Sequence, residues 1–272
     1  MAQVRLLALD LDGTIVSDGI RISPRVRDVL CEALHAGVLV TLASGRAFYI
    51  TRLFAHELGI RAPLICYQGA LVQDSDGGEV YVHHRVRPDL AHELIDLARQ
   101  QGWGLCTYVN DQLYAEELGP LLRFYAEYAP IVEEVHTVAD LKAILASGPT
   151  KLAVTVEIEQ AAGVSDLLRE RFGGRLRIVR PFAYSVEVTD LSATKGQALS
   201  FLAHRLGIEQ AETMAIGDND NDVDMLAWAG LGVAMGNAPA AVKASADYVA
   251  PPIEEDGAAQ AIERFVLGKR HA

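Results

Sequence analysis

The sequence predicts an α/β protein: a parallel-sheet domain interrupted by an inserted α+β domain. Three features of the 272-residue chain predict it. Short apolar runs alternate with amphipathic helical stretches as far as Cys66. The same alternation resumes after Lys195. Between them, hairpin signals and neighbouring strands take over. Strand–helix alternation implies βαβ units and a parallel sheet, whereas consecutive strands imply antiparallel pairing. The simplest organisation is a split core at 1–82 and 189–272 around a separate domain at 83–188.

Residues 4–10 read as a buried strand. Ser23-Pro24 supplies an N-cap and first-turn proline, opening a helix to about Ala36 that Gly37 stops. Residues 38–43 form a second apolar strand, and Ser44-Gly45-Arg46 leads into a helix ending near Gly59. Residues 64–66 read as a third strand, and 70–72 with 79–82 flank a turn at Asp74–Gly78, a hairpin signal. The inserted domain reads as helices at 88–100, 118–128, 138–146 and 159–172. Its strands read at 103–109, 112–115, 131–135, 151–157, 175–180 and 183–188, with Trp103 in its core. The core then resumes with a helix at 196–206, a strand at 213–216, a helix at 221–228 and a strand at 231–234. A short helix after Pro239, a strand at 248–249 and a helix at 256–267 complete it.

Composition narrows the class. The chain is 50% hydrophobic, enough for real cores, and carries a net charge of −12. That balance argues against a nucleic-acid partner, whose phosphates need a basic face. A small anion remains compatible if local positive groups or a metal receive it. Cys31, Cys66 and Cys106 are odd in number and far apart, so reduced thiols in a cytoplasmic protein are expected. No signal-peptide pattern opens the sequence, and no uncharged apolar stretch approaches the roughly 20 residues of a spanning helix. Nothing in the sequence sets an oligomeric state.

The most informative segment is Leu9-Asp10-Leu11-Asp12-Gly13-Thr14, directly after the first strand. Side chains alternate along a strand, so Asp10 and Asp12 start on one side. Asp-Gly alone marks a turn, yet two charges at the end of a buried strand are expensive unless paired or bound to metal. A second acidic segment, Gly217-Asp218-Asn219-Asp220-Asn221-Asp222, follows the strand at 213–216. Ligands of open parallel sheets bind at the carboxyl ends of strands, so both clusters belong at one rim. There a cation must offset their repulsion, and oxygen donors suit magnesium. A calcium loop starting at Asp218 would need Gly and Glu where Val223 and Ala229 stand, so that alternative fails. Ser44 with Gly45 at the same rim, and Lys195 before a helix, complete a phosphate site, although Ser44 also reads as a simple helix N-cap.

These four segments in this order resemble the haloacid dehalogenase-like phosphatases, closest to the Cof-type branch with a large inserted cap. The resemblance extends to the tail around Met235-Gly236-Asn237-Ala238. It implies a Rossmann-like parallel-sheet core and an α+β cap that selects substrate. It implies that Asp10 is a nucleophile forming an aspartyl-phosphate and that Asp12 is the general acid and then base. Asp10, the Asp12 carbonyl, Asp218, Asn221 and Asp222 are the implied Mg2+ environment, and Ser44, Gly45 and Lys195 the implied phosphate site. The implied substrate is a small phosphorylated metabolite, with Arg46, Gln68, Glu187 and Asn237 as candidate contacts. Tyr108, Asn110 and Tyr184 are further candidates in the cap. Arg46 is also expected to pair with an acid at the core–cap junction. Gln68-Gly69 departs from the family's usual Asn-Gly. A phosphomutase and a non-catalytic phospho-ligand-binding protein are the alternatives. Cap opening about junctions near 82–85 and 187–191 is also expected.

Overall fold

The structure is a computed structural model that describes residues 3–17, 20–117, 119 and 134–269. It divides into two compact units, Met1–Val82 with Thr194–Ala272, and His83–Ala193. Residues 189–193 group with the second unit. The strand Ser185–Asp190 runs on as far as Asp190, which pairs with Leu176.

The first unit is built on a five-stranded parallel sheet. In chain order its strands are β1 (Leu6–Leu9), β2 (Leu39–Leu42), β12 (Thr213–Gly217), β13 (Leu231–Ala234) and β14 (Tyr248–Val249). Their spatial order is β14-β13-β12-β1-β2. Leu9 aligns with Ile216 on one side and with Leu42 on the other. That register brings the residues after β1, β2 and β12 to one sheet edge. β1 is apolar throughout and fully buried, as a central parallel strand covered on both faces must be. A parallel bridge, Ala43 to Ile65, carries the chain to β3 (Leu64–Cys66). β3 joins β4 (Leu71–Gln73) and β5 (Val80–His83) in a small sheet. Helix α1 (Pro24–His35) opens as expected: Val26 N–H donates to Ser23 Oγ, and Pro24 occupies the first turn. Helix α2 (Phe48–Glu57) starts later than Ser44 implies, because its N-cap is Ala47 and Ser44 instead closes the preceding turn.

The second unit has a six-stranded sheet, β10-β11-β9-β6-β7-β8. These are β6 (Gly104–Val109), β7 (Gln112–Ala115), β8 (Val135–Thr137), β9 (Lys151–Thr155), β10 (Leu176–Phe182) and β11 (Ser185–Asp190). Leu152, Val154, Val186 and Val188 pack in one apolar cluster with Leu90, Leu94, Val164 and Leu168 of helices α3 (Pro88–Gln101) and α4 (Ile158–Phe172), and Trp103 packs against it. The expected helix at 138–146 is instead a 3-10 turn, Leu141–Ile144, which Asp140 caps by accepting the Lys142 N–H. The expected helix at 118–128 and most of the strand at 131–135 lie outside the described residues.

Three cysteines are free, Cys31 exposed and Cys66 and Cys106 buried. No helix among the described residues is long and apolar enough to cross a membrane.

One glycine fixes how the halves of the first unit meet. Gly69 has φ +95°, and a Cβ there would lie 2.2 Å from the carbonyl oxygen of Thr194. Thr194 is the N-cap of helix α5 (Lys195–Arg205). We expect Gly69→Ala to lower unfolding stability by about 2–3 kcal/mol, from the left-handed backbone and the clash together. Urea denaturation checks this, and a change below about 0.5 kcal/mol would contradict it.

Candidate active site

Four segments converge at the carboxyl edge of the parallel sheet. Asp10 follows β1, and its N–H donates to the Ile216 carbonyl of β12. Strand pairing therefore sets the distance between the two acidic motifs. Asp10, Asp218 and Asp222 each present a carboxylate oxygen, and these oxygens lie within 4.8 Å of one another.

Lys195 is the cation among them. It opens α5, has no solvent exposure, and its Nζ donates at 2.6 Å to Asp10 Oδ1 and at 2.6 Å to Asp222 Oδ1. Burial works against its charge, but Asp10 and Asp222 more than offset it, so its pKa is raised. Asp222 holds its own loop as well, because Oδ2 accepts the N–H groups of Asp218 and Asn219, both at 3.0 Å. Burial and then the Asp222 charge push the Asp10 carboxyl well above the usual carboxylate range, against the pull of Lys195. Burial and Asp222 likewise push Asp218 up to about 6. Three carboxylates around one ammonium leave the cluster short of positive charge. An all-oxygen donor set in that condition fits a hard divalent cation.

Thr14, the last residue of the first acidic segment, joins the site as well. Its Oγ1 donates to Asp218 Oδ1 at 3.0 Å and ties the first acidic motif to the second. Gly13 makes that approach possible: a Cβ there would lie 2.3 Å from Asp218 Oδ2. Asn237 also serves this junction. Its Nδ2 donates to the Gly13 carbonyl at 2.9 Å and to Asp218 Oδ2 at 3.3 Å, while Ile253 N–H donates to its Oδ1.

Ser44 is fully buried and its Oγ accepts the Arg46 N–H at 3.1 Å. Gly45 lies under the Gln68 amide, where a Cβ would meet Gln68 Nε2 at 2.2 Å. Gln68 Oε1 accepts from Asn221 Nδ2 at 2.7 Å. The other Asn221 atom, Oδ1, is buried and has no hydrogen-bond partner. A buried acceptor of this kind calls for a donor or a cation.

Arg46 pairs with Asp12: Nε reaches Oδ2 at 2.8 Å and Nη2 reaches Oδ1 at 2.5 Å. Both residues belong to the first unit. Glu187 lies in the second unit, buried in an ion pair with Lys151 at 2.6 Å. There Lys151 also sits over the Tyr108 ring.

Asp218 carries a testable consequence. An acid whose folded-state pKa lies above its unfolded value binds more protons when folded. Its charge therefore weakens the metal-free fold as pH rises from 3.8 through about 6. We expect Asp218→Asn to stabilise the chelated protein at pH ~8 by about 1–2 kcal/mol, with the gain vanishing near pH ~4. Urea denaturation at the two pH values checks it, and a destabilised variant at the higher pH would refute it.

Comparison with known proteins gives the family. Residues 7–262 match the family model of the haloacid dehalogenase-like hydrolases. The chain is 31% identical over 265 residues to the 5-amino-6-(5-phospho-D-ribitylamino)uracil phosphatase YcsE of Bacillus subtilis, covering 97% of this chain and 96% of that protein. It is 29% identical over 234 residues to the HMP-PP phosphatase of Serratia proteamaculans, covering 86% and 84%. A crystal structure of a haloacid dehalogenase-like hydrolase from Bacteroides thetaiotaomicron matches it with a TM-score of 0.86 at 29% identity, covering 96% of this chain and 99% of that one. With a family model spanning most of its length, the chain belongs to the haloacid dehalogenase-like hydrolases, as an enzyme of their Cof-type phosphatase branch.

Proposed function

We propose that the protein is a magnesium-dependent phosphatase of small phosphate monoesters, sugar phosphates or related metabolites, acting through an aspartyl-phosphate on Asp10. The observation that carries this reading is the buried Asp10 carboxylate held by Lys195 beside two further carboxylates. Such an arrangement is costly for stability and useful for phosphoryl transfer.

In the first step an Asp10 oxygen attacks phosphorus. The bond to the leaving alcohol breaks, and Asp12 gives that oxygen a proton. In the second step Asp12 takes a proton from water, which attacks the aspartyl-phosphate and releases phosphate and the free Asp10 carboxylate. Splitting the hydrolysis this way replaces one hard displacement by two easier ones. Lys195 holds Asp10 in place and, with the Ser44 hydroxyl and the Gly45 backbone, receives the phosphoryl oxygens. Asp10 and Asp218, with the Asp12 carbonyl, would hold the metal ion. Asp222 has already committed its oxygens to Lys195 and two N–H groups, so it steadies the site from behind. The orphaned Asn221 Oδ1 is a further donor toward the ion or its water. The ion supplies charge neutralisation for Asp10 and the phosphoryl group.

The inserted unit at His83–Ala193 is the substrate-selecting cap in this reading. A cytoplasmic setting suits the free thiols and a phosphorylated metabolite as substrate.

Two measurements test the reading. Asp10→Asn should abolish release of phosphate from p-nitrophenyl phosphate, by at least about 1,000-fold, while the variant unfolds as cooperatively as the parent. Turnover within tenfold of the parent would remove Asp10 as nucleophile. Chelation should eliminate activity and added magnesium should restore it. Rates unaltered in excess chelator would refute the metal requirement.

A further inference from the structure

The pairing of Arg46 with Asp12 is more than a surface ion pair. Asp10 and Asp12 leave β1 two residues apart, and only Asp10 joins the three converging carboxylates. Asp12 is drawn away by a guanidinium that holds both its oxygens. That guanidinium is itself held. The Arg46 N–H donates to Ser44 Oγ, the Arg46 carbonyl accepts the Tyr67 N–H at 3.0 Å, and the side chain lies over the Phe54 ring at 5.2 Å. The Arg46 side chain is 16% exposed and that of Asp12 35%. The arginine is therefore the more buried and more heavily contacted partner, and the aspartate the more exposed one.

We propose that Arg46 is a positioning residue that keeps the Asp12 carboxylate off the three-carboxylate cluster and ready for proton exchange with the leaving oxygen. The inference rests on reading Asp12 as the general acid and base. Protonation of one Asp12 oxygen breaks one arm of the fork and leaves the other as a pivot. When the ester bond to phosphorus breaks, the Asp12 O–H gives its proton to the departing oxygen. The carboxylate so formed returns to the two-armed bond. Arg46 thus favours the product side of the proton transfer, and its worth depends on how much the leaving group needs that proton. Two N–H donors in a fixed plane are required, which a lysine ammonium does not provide.

The leaving-group dependence of kcat/KM tests this. Phenyl phosphate departs as a strongly basic oxygen that needs a proton, and 2,4-dinitrophenyl phosphate departs without one. We expect Arg46→Gln and Arg46→Lys each to lower kcat/KM on phenyl phosphate at least tenfold more than on 2,4-dinitrophenyl phosphate. Arg46→Lys keeps the charge and covers the case in which the glutamine variant fails to fold. An equal loss on both esters would overturn the inference and make Arg46 a phosphate-binding residue. Retention of the parent ratio by Arg46→Lys would also overturn it, because charge without the fork would then suffice. A parent protein inert toward both esters would instead overturn the phosphatase reading, and this inference with it.

Discussion

The ammonium of Lys195 is the point on which the site depends. It has no contact with solvent and lies between two carboxylates from different segments, at 2.6 Å from each. Removing it would leave Asp10 and Asp222 facing each other in a low-dielectric interior, where like charges repel strongly. Much of the first unit serves this arrangement. The β1–β12 register sets Asp10 against the second acidic loop, and the close approach of Gly69 to Thr194 sets where α5 begins. Asp222 uses its remaining oxygen to fold the loop that carries it. A charge cluster this demanding persists because the strands around it are largely apolar and buried and the backbone there is over-determined.

The parts of this site that were legible in the sequence are the local ones. An apolar strand ending in two aspartates announces its own rim, and so does the strand before Asp218. Alternation of strands and helices gave the parallel sheet, which brings those rims together. The contacts between distant segments were not legible. Lys195 read as a phosphate-binding residue before a helix, but nothing local shows its two carboxylate partners, which lie 185 and 27 residues away. The Asp12 partner of Arg46 is 34 residues distant and becomes visible only once β1 and β2 are known to be neighbours. Thr14 stands in the first motif, but nothing local shows that its hydroxyl meets Asp218. In the second unit, the sequence showed a strand at 183–188 next to another strand. It did not show that Glu187 is buried there and paired with Lys151.

Gln68 shows why a departure from a family pattern needs the tertiary frame to interpret. Tyr67 and Gln68 are consecutive non-glycine residues with φ of +52° and +62°. Left-handed backbone costs a residue with a Cβ roughly 1–2 kcal/mol, and asparagine adopts it more readily than glutamine. On backbone grounds alone, the family's usual asparagine would therefore serve better. The side chain supplies the compensating term. Gln68 reaches across Gly45 and accepts from Asn221, so one amide spans the loop after β2 and the second acidic motif. An asparagine is shorter by one methylene, roughly 1.5 Å. It would relax the backbone but fall short of one neighbour or the other, leaving Asn221 without its acceptor. An unpaired buried amide costs about 1–3 kcal/mol, comparable to the strain saved. The two terms are close enough that the chain can keep either residue without losing the fold. What differs between them is how firmly Asn221 is held beside the carboxylate cluster.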